Sequence, residues 1–273
     1  MAGAGHRTVK PGGAAVMLNK LNYLWRLLGT GIGFAVFSVG GLIMAVTLFP
    51  LLAITAPDVA TRESRIRRLI HAGFRGFVGL LTLLGVIEFN TEGCEQLLAC
   101  EGDIIIANHP SLLDVVLLMS LLPEAQCVVK HQLWGSRFLG SVVRGAGYIR
   151  NDLPVDEMIA ECQQALDQGT NMVLFPEGTR TVPGKPIKFQ RGFANIATLC
   201  EADLQLVTIR CTPPTLLKGE SWYQIPDEKM KFSLVTHEKI KTRDYLENNL
   251  RTIAVRRLTR DMEQLYQEKL CNG

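Results

Sequence analysis

Residues 103–114 read Asp-Ile-Ile-Ile-Ala-Asn-His-Pro-Ser-Leu-Leu-Asp, DIIIANHPSLLD, and the fold turns on how this stretch divides. Asp103–Ala107 is a short apolar run rich in β-branched residues, which predicts a buried strand. Ser111-Leu-Leu-Asp114 has the spacing of a capping box, with Ser111 as N-cap and a helix over Leu112–Leu122. A buried strand feeding directly into a helix is the unit of an α/β layer.

The same alternation continues outward. Strands are predicted at Val86–Asn90, Ala125–Val129, Tyr148–Arg150, Asn171–Phe175, Gln205–Cys211 and Lys231–Thr236. Helices are predicted at Gln132–Arg144, Asp156–Gln168 and Gly192–Cys200, and a last one from Arg243 to Leu270. In the helix at 156, Asp156 can cap the start and Gly169 suits the end. In the last helix Leu246, Leu250, Ile253, Leu258, Met262 and Leu265 form the apolar face, with Arg251, Arg256, Arg257 and Arg260 around it.

The N-terminal third differs. From Leu27 to Pro57 no residue is charged, and Leu27–Phe49 is 23 residues of apolar or small character. At ~1.5 Å per residue that is roughly 34 Å, enough to cross a ~30 Å hydrocarbon core. Three readings stand open: a spanning helix, a re-entrant or interfacial hairpin with its tip at Gly40-Gly41, and a buried helix of a soluble domain. The stretch that follows carries Arg62, Arg65, Arg67, Arg68 and Arg75, which suits an anionic cytoplasmic leaflet and places the rest of the chain in the cytoplasm. The division expected is therefore a disordered leader at 1–16, a membrane-associated helical segment at 17–85 and an α/β domain at 86–273.

Composition excludes several classes. The net charge of +3 is too small to argue for nucleic acid. The seven cysteines are scattered, with no Cys-x-x-Cys pair, against a disulfide framework or a zinc site. Gly-x-Ser-x-Gly and the phosphate-loop lysine motif are missing, which disfavours a serine hydrolase or nucleotide hydrolase, and Gly29-Thr-Gly-Ile-Gly33 opens the apolar run instead of following a strand.

Two stretches carry chemistry. If a helix begins near Ser111, His109 falls in the strand-to-helix connection, where its imidazole can meet the Asp114 carboxylate. Such a pair fixes the tautomer and leaves the second ring nitrogen free to take a proton. The bland alternative is that Asp114 only caps the helix. The second stretch is Phe175-Pro-Glu-Gly-Thr-Arg-Thr181, where Gly178 allows a tight turn and Arg180 suits a phosphate or carboxylate, with Lys185, Lys188 and Arg191 nearby.

His109 through Asp114, followed by FPEGTR some sixty residues later, resembles the glycerolipid acyltransferase family, and in particular its bacterial lysophospholipid acyltransferases. Val128-Val129-Lys130 with Leu133, and Gly145-Ala-Gly-Tyr-Ile-Arg150, resemble two further blocks of that family. The resemblance implies a mixed sheet flanked by helices, preceded by a membrane-embedded N-terminal helix or helical hairpin. It implies His109 as general base for a hydroxyl attacking an acyl thioester, oriented by Asp114, and acceptor or phosphate binding by Arg150, Glu177, Gly178, Thr179, Arg180 and Lys130. No covalent acyl-enzyme, metal or cofactor is implied. The donor would be an acyl carrier protein thioester, with a docking surface for that protein, or an acyl-coenzyme A. The acceptor would be a lipid, the place the inner (cytoplasmic) membrane.

The chain also departs from the family pattern. The fourth block usually has a proline between apolar residues, whereas here Leu204–Arg210 has none and Pro213-Pro214 come later, so the wall of the acceptor or acyl site differs. That weakens lysophosphatidate as the specific acceptor and leaves room for other lipids, aryl-polyene-type acceptors included. A non-catalytic lipid-binding protein and a thioesterase are the competing readings.

Overall fold

The computed structural model describes residues 13–136 and 139–271. Three helices come first: α1 (Gly13–Ile43), continued through a π-turn at Met44–Leu48 into α2 (Phe49–Thr55), then α3 (Val59–Leu83). Residues 1–12 of the expected leader lie outside the described residues, and helix already begins at Gly13. Gly40-Gly41 is not a hairpin tip. Both glycines sit inside α1, and the chain reverses at Ala56-Pro57-Asp58, where the Asp58 carboxylate accepts from Thr61 N–H at 2.7 Å and caps α3.

The α/β part continues with β1 (Ile87–Glu92), α4 (Cys94–Leu98), β2 (Ile104–Ala107), α5 (Asp114–Met119), β3 (Ala125–Val129), α6 (His131–Trp134), α7 (Gly140–Gly145) and β4 (Ile149–Arg150). It ends with α8 (Val155–Asp167), β5 (Asn171–Leu174), α9 (Gly192–Cys200), β6 (Leu204–Thr212), β7 (Met230–Ile240), α10 (Arg243–Leu246) and α11 (Arg251–Cys271). Among the described residues the strands join one mixed sheet in the order β1-β7-β6-β2-β5-β3-β4. The strands from β6 to β4 in that order run parallel, and β7 turns antiparallel against β6.

Both faces of the sheet are covered, which is why its central strands are apolar throughout. Ile104 and Ile106 of β2 pack with α8, α9 and α11, while Ile105 and Ala107 face α5 and, on α3, Ile66 and Ile70. Thus α3 is a layer of the α/β core, although the sequence places it with the membrane segment. Arg67 marks the consequence: it is 6% exposed and bound to Glu124, so it is not available to lipid headgroups.

Several expected elements change length. The helix expected at Leu112–Leu122 shortens to α5 because Leu113, not Ser111, stands at its N-cap. The Asp114 carboxylate still reaches back to Ser111 N–H at 2.6 Å, the return bond of the expected capping box. Gln132–Arg144 divides into α6 and α7 at Gly135, where the Arg144 guanidinium donates to the Trp134 carbonyl. The last helix breaks around Asn248, whose φ of 59° is left-handed. Across that break the expected stripe loses phase: Leu250 and Ile253 are exposed, and Ala254, Val255, Leu258, Met262 and Tyr266 are buried. Pro154 rather than Asp156 precedes α8, while Gly169 closes it as expected, with Thr170 N–H donating to Ala165 O.

Candidate active site

In a sheet of this order β2 and β5 are neighbours whose outgoing connections leave in opposite directions, β2 toward β3 and β5 toward β6. The crevice beyond their C-terminal ends is the place where open α/β sheets hold ligands. DIIIA runs into Asn108-His109 at the end of β2, and NMVL runs into Phe175-Pro176-Glu177 at the end of β5. The two stretches singled out in the sequence therefore meet.

His109 Nδ1 lies 2.9 Å from Asp114 Oδ2. The imidazole is 19% exposed and the carboxylate fully buried. With Nδ1 engaged, Nε2 is the nitrogen left for other work. The Phe175 ring packs against the imidazole at a centroid distance of 4.6 Å. Burial pushes the Asp114 carboxyl above the usual carboxylate range, opposed by the hydrogen bonds from His109 and from Ser111 N–H. Its second oxygen, Oδ1, is buried without a hydrogen-bond partner.

The two loops are stapled together by Glu177 and Thr181. Glu177 Oε1 accepts from His109 N–H at 2.9 Å and from the Thr181 hydroxyl at 2.6 Å, and Thr181 N–H donates to His109 O at 2.7 Å. Gly178, at φ 64°, makes the turn that returns the chain for these contacts. Glu177 thus turns inward to the backbone, while Gly178 and Thr179 are exposed on the loop. Arg180 Nη1 donates to the carbonyls of Leu216 and Leu217 at 2.7 and 2.9 Å, and its side chain lines a cavity of about 480 Å³ together with Leu112.

Lys130 and Arg150 stand at the ends of β3 and β4, on the same edge but farther along it. At ~4.8 Å per strand, Arg150 is roughly 14 Å from the line of β2. Its guanidinium pairs with Asp152 at 2.7 Å and lies 5.5 Å from the centre of the Trp134 ring. Lys130 is exposed. Among the described residues no cluster of His, Cys, Asp or Glu is arranged to hold a metal ion.

Sequence reading missed Asn108, Thr181 and Tyr266. Asn108 exchanges two hydrogen bonds with Ile209, at 2.8 and 2.7 Å, and so extends the pairing of β2 with β6 up to the histidine. The Tyr266 hydroxyl sits between the same strands, 2.6 Å from Ile106 O and 3.0 Å from Val207 O, where the pairing of β6 with β7 is irregular. For Asn108 the only signal was adjacency to His109. For Tyr266 there was none, since its partners are about sixty residues and more away.

Residues 88–212 match the family model described as Acyltransferase. The 1-acyl-sn-glycerol-3-phosphate acyltransferase of Helicobacter pylori is 32% identical over 37% of this chain and 46% of its own length. The mouse 1-acyl-sn-glycerol-3-phosphate acyltransferase alpha is 26% identical over 60% of this chain and 56% of its own. The chain thus spans about half the length of the curated relatives it matches. Its fold is that of the crystal structure of the 1-acyl-sn-glycerophosphate acyltransferase PlsC from Thermotoga maritima, with a TM-score of 0.59 at 21% identity over 90% of this chain and 97% of that one. The family match covers β1 to β6, the part of the sheet that carries both loops.

Proposed function

We propose that this chain moves a fatty acyl group from an acyl thioester, of acyl carrier protein or coenzyme A, to a hydroxyl of a lysophospholipid or related lipid. The observation that carries the reading is the 2.9 Å contact between His109 and a fully buried Asp114 at the mouth of β2. In the reaction His109 Nε2 takes the proton of the acceptor hydroxyl as its oxygen attacks the thioester carbonyl. The tetrahedral intermediate then collapses, the C–S bond breaks, and the imidazolium returns the proton to the leaving thiolate. The products are an ester and a thiol, and the acyl group is never attached to the protein. A base so placed typically contributes ~10²–10⁴ in rate.

Asp114 holds the imidazole with its proton on Nδ1. Glu177 acts as a positioning residue, because its carboxylate is engaged by the His109 backbone and by Thr181. Arg180, with N–H groups beyond the two pinned to Leu216 and Leu217, faces the acceptor headgroup; Gly178 and Thr179 shape the same loop. Lys130 and Arg150 contribute positive potential from farther along the edge, toward an anionic acceptor or the donor's carrier.

The reading extends to the membrane. Met17–Thr55 is apolar enough to cross a bilayer, yet Gly29 packs closely on Val86 near one end of this rod and Phe49 on Gly145 near the other. Those contacts are 20 residues apart, so α1 and α2 are held against the domain over ~30 Å. A perpendicular crossing would drag the domain into hydrocarbon. Exposed Leu21, Leu28, Ile32, Val39, Val46 and Ile54 continue along the outer side. We therefore assign the rod an interfacial position in one leaflet, the cytoplasmic leaflet of the inner membrane, with residues 86–273 and the α3 layer packed on them above it as the acyltransferase domain.

The test is to supply purified protein in lipid vesicles with a labelled acyl thioester and a lysophospholipid, and to follow the label. Transfer to the lipid hydroxyl is expected. Release of the label only as free fatty acid would make the chain a thioesterase and overturn the reading.

A further inference from the structure

The segment after β6, which opens with Pro213-Pro214, is tied at both ends. At one end Arg180 holds the carbonyls of Leu216 and Leu217. At the other the Arg26 guanidinium of α1 donates to the carbonyls of Pro226 and Glu228, at 2.9 and 2.6 Å, and to that of Asp227. Arg26 is 2% exposed, so this is a built joint between the apolar rod and the strap. Between the two ties Trp222 lies against α1, with ring atoms 3.4 Å from where a side chain at Gly31 would begin and its ring 5.9 Å from that of Phe34.

Two cavities meet at this tryptophan. On one side is the 480 Å³ cavity, with Arg180 and Leu112 from the two catalytic loops. On the other is an apolar groove of about 500 Å³ along the exposed side of α1, lined from Leu24 to Ala35. Trp222 is common to both. The groove runs along α1 from Leu24 to Ala35, ~16 Å of helix, about half of a ~30 Å hydrocarbon core and so the length of one chain in one leaflet. It lies on the exposed apolar side of the rod, and it shares Trp222 with the adjoining cavity that holds Arg180.

Building on the acyltransferase reading above, we infer that this groove takes the hydrocarbon chain of the acceptor lipid, and that Trp222 is the wall over which that chain passes to bring its headgroup to Arg180. A single chain is the occupant because the groove is about 500 Å³, lined by apolar α1 side chains and Trp222, and because a lipid lying in the leaflet enters it without leaving apolar surroundings. Trp222 is then a specificity-determining residue. Its indole measures the chain while His109 handles the hydroxyl. Leu112 links the two, since it lines the cavity and lies between His109 and Asp114 in sequence.

Two measurements test this. In acylation assays with a long-chain and a short-chain water-soluble acceptor, Trp222→Ala is expected to lower the long-to-short ratio of kcat/KM roughly tenfold, ~1.4 kcal/mol, chiefly through KM of the long-chain acceptor. Trp222→Phe should restore most of the ratio. An unchanged ratio, with both acceptors lowered alike, would make Trp222 merely structural and overturn the inference. Separately, a lysophospholipid with a photoreactive group at its chain terminus is expected to label the groove side of α1 between Leu24 and Ala35 in the wild-type protein. This readout needs no turnover, so it stands apart from the acyltransferase reading. Labelling elsewhere, or none, overturns the groove even where acyl transfer is observed.

Discussion

The two edges of the sheet treat buried charge in opposite ways. At the N-terminal edge of the parallel strands Glu124 receives the Ser64 hydroxyl at 2.6 Å, Arg67 at 3.3 Å and Arg68 at 2.5 Å, and Asp103 receives Lys239 at 2.6 Å. At the C-terminal edge Asp114 is more deeply buried than any of these, has no cationic Lys or Arg partner, and keeps one oxygen unsatisfied. Native structures seldom leave such a group without a reason. The first edge uses charge to join α3 to the core. The second holds a carboxylate in an unfavourable environment, where its partners are an imidazole and one backbone N–H, the kind of setting in which proton-transfer groups are found.

Substitutions should separate these two uses. The largest effect is expected from His109→Ala, with turnover falling ~10²–10⁴-fold while the thermal midpoint moves little; a loss of folding in step with activity would erase the contrast. Asp114→Asn should cost nearly as much activity, because an amide favours the opposite tautomer, yet here stability should not fall in parallel. Since the folded carboxyl is raised by burial, wild type binds its proton more readily folded than unfolded. Its stability relative to Asp114→Asn is therefore greatest at low pH and is lost as pH rises through the folded value. Thermal melts of both proteins from pH 4 to 8 read this directly, and the opposite slope would refute it.

At the other edge Arg67→Ala should do the reverse, removing about 2–3 kcal/mol of stability as Glu124 loses a buried partner, with activity per folded molecule retained. Denaturant titration and a turnover assay on the same sample distinguish the two. Arg180→Ala should raise acceptor KM about tenfold, ~1.4 kcal/mol, since Arg180 lines the cavity proposed for the acceptor headgroup and its loss also releases the strap. Thr181→Val, which removes the hydroxyl that donates to Glu177 and accepts from His109 N–H, should be smallest, at about 1 kcal/mol and a several-fold loss in turnover.

Much of the sheet was legible because its strands are short, apolar and bounded by turn residues. Ala125–Val129 and Gly192–Cys200 fall where the sequence puts them. Boundaries set by tertiary contact were not legible. The start of α5 moves past Ser111, and Arg144 draws α7 back on Trp134. The pairing of His109 with Asp114 could be read from spacing, as could the nearness of FPEGTRT once both were placed at strand ends. The inward turn of Glu177 and the strap that Arg180 holds could not, since their partners are backbone groups on other loops. The interfacial position proposed for the rod rests on Gly29 and Gly145 as contact points, and composition alone leaves a spanning helix equally open.

The central claim is that Asp114 fixes the His109 imidazole with its proton on Nδ1 and Nε2 free to act as base. Long-range nitrogen–proton correlation spectra of the ring, with histidine labelled, test it most directly. The expected result is an unprotonated Nε2 at neutral pH in the wild type, passing to Nε2–H in Asp114→Asn. A proton already resident on Nε2 in the wild type would contradict it.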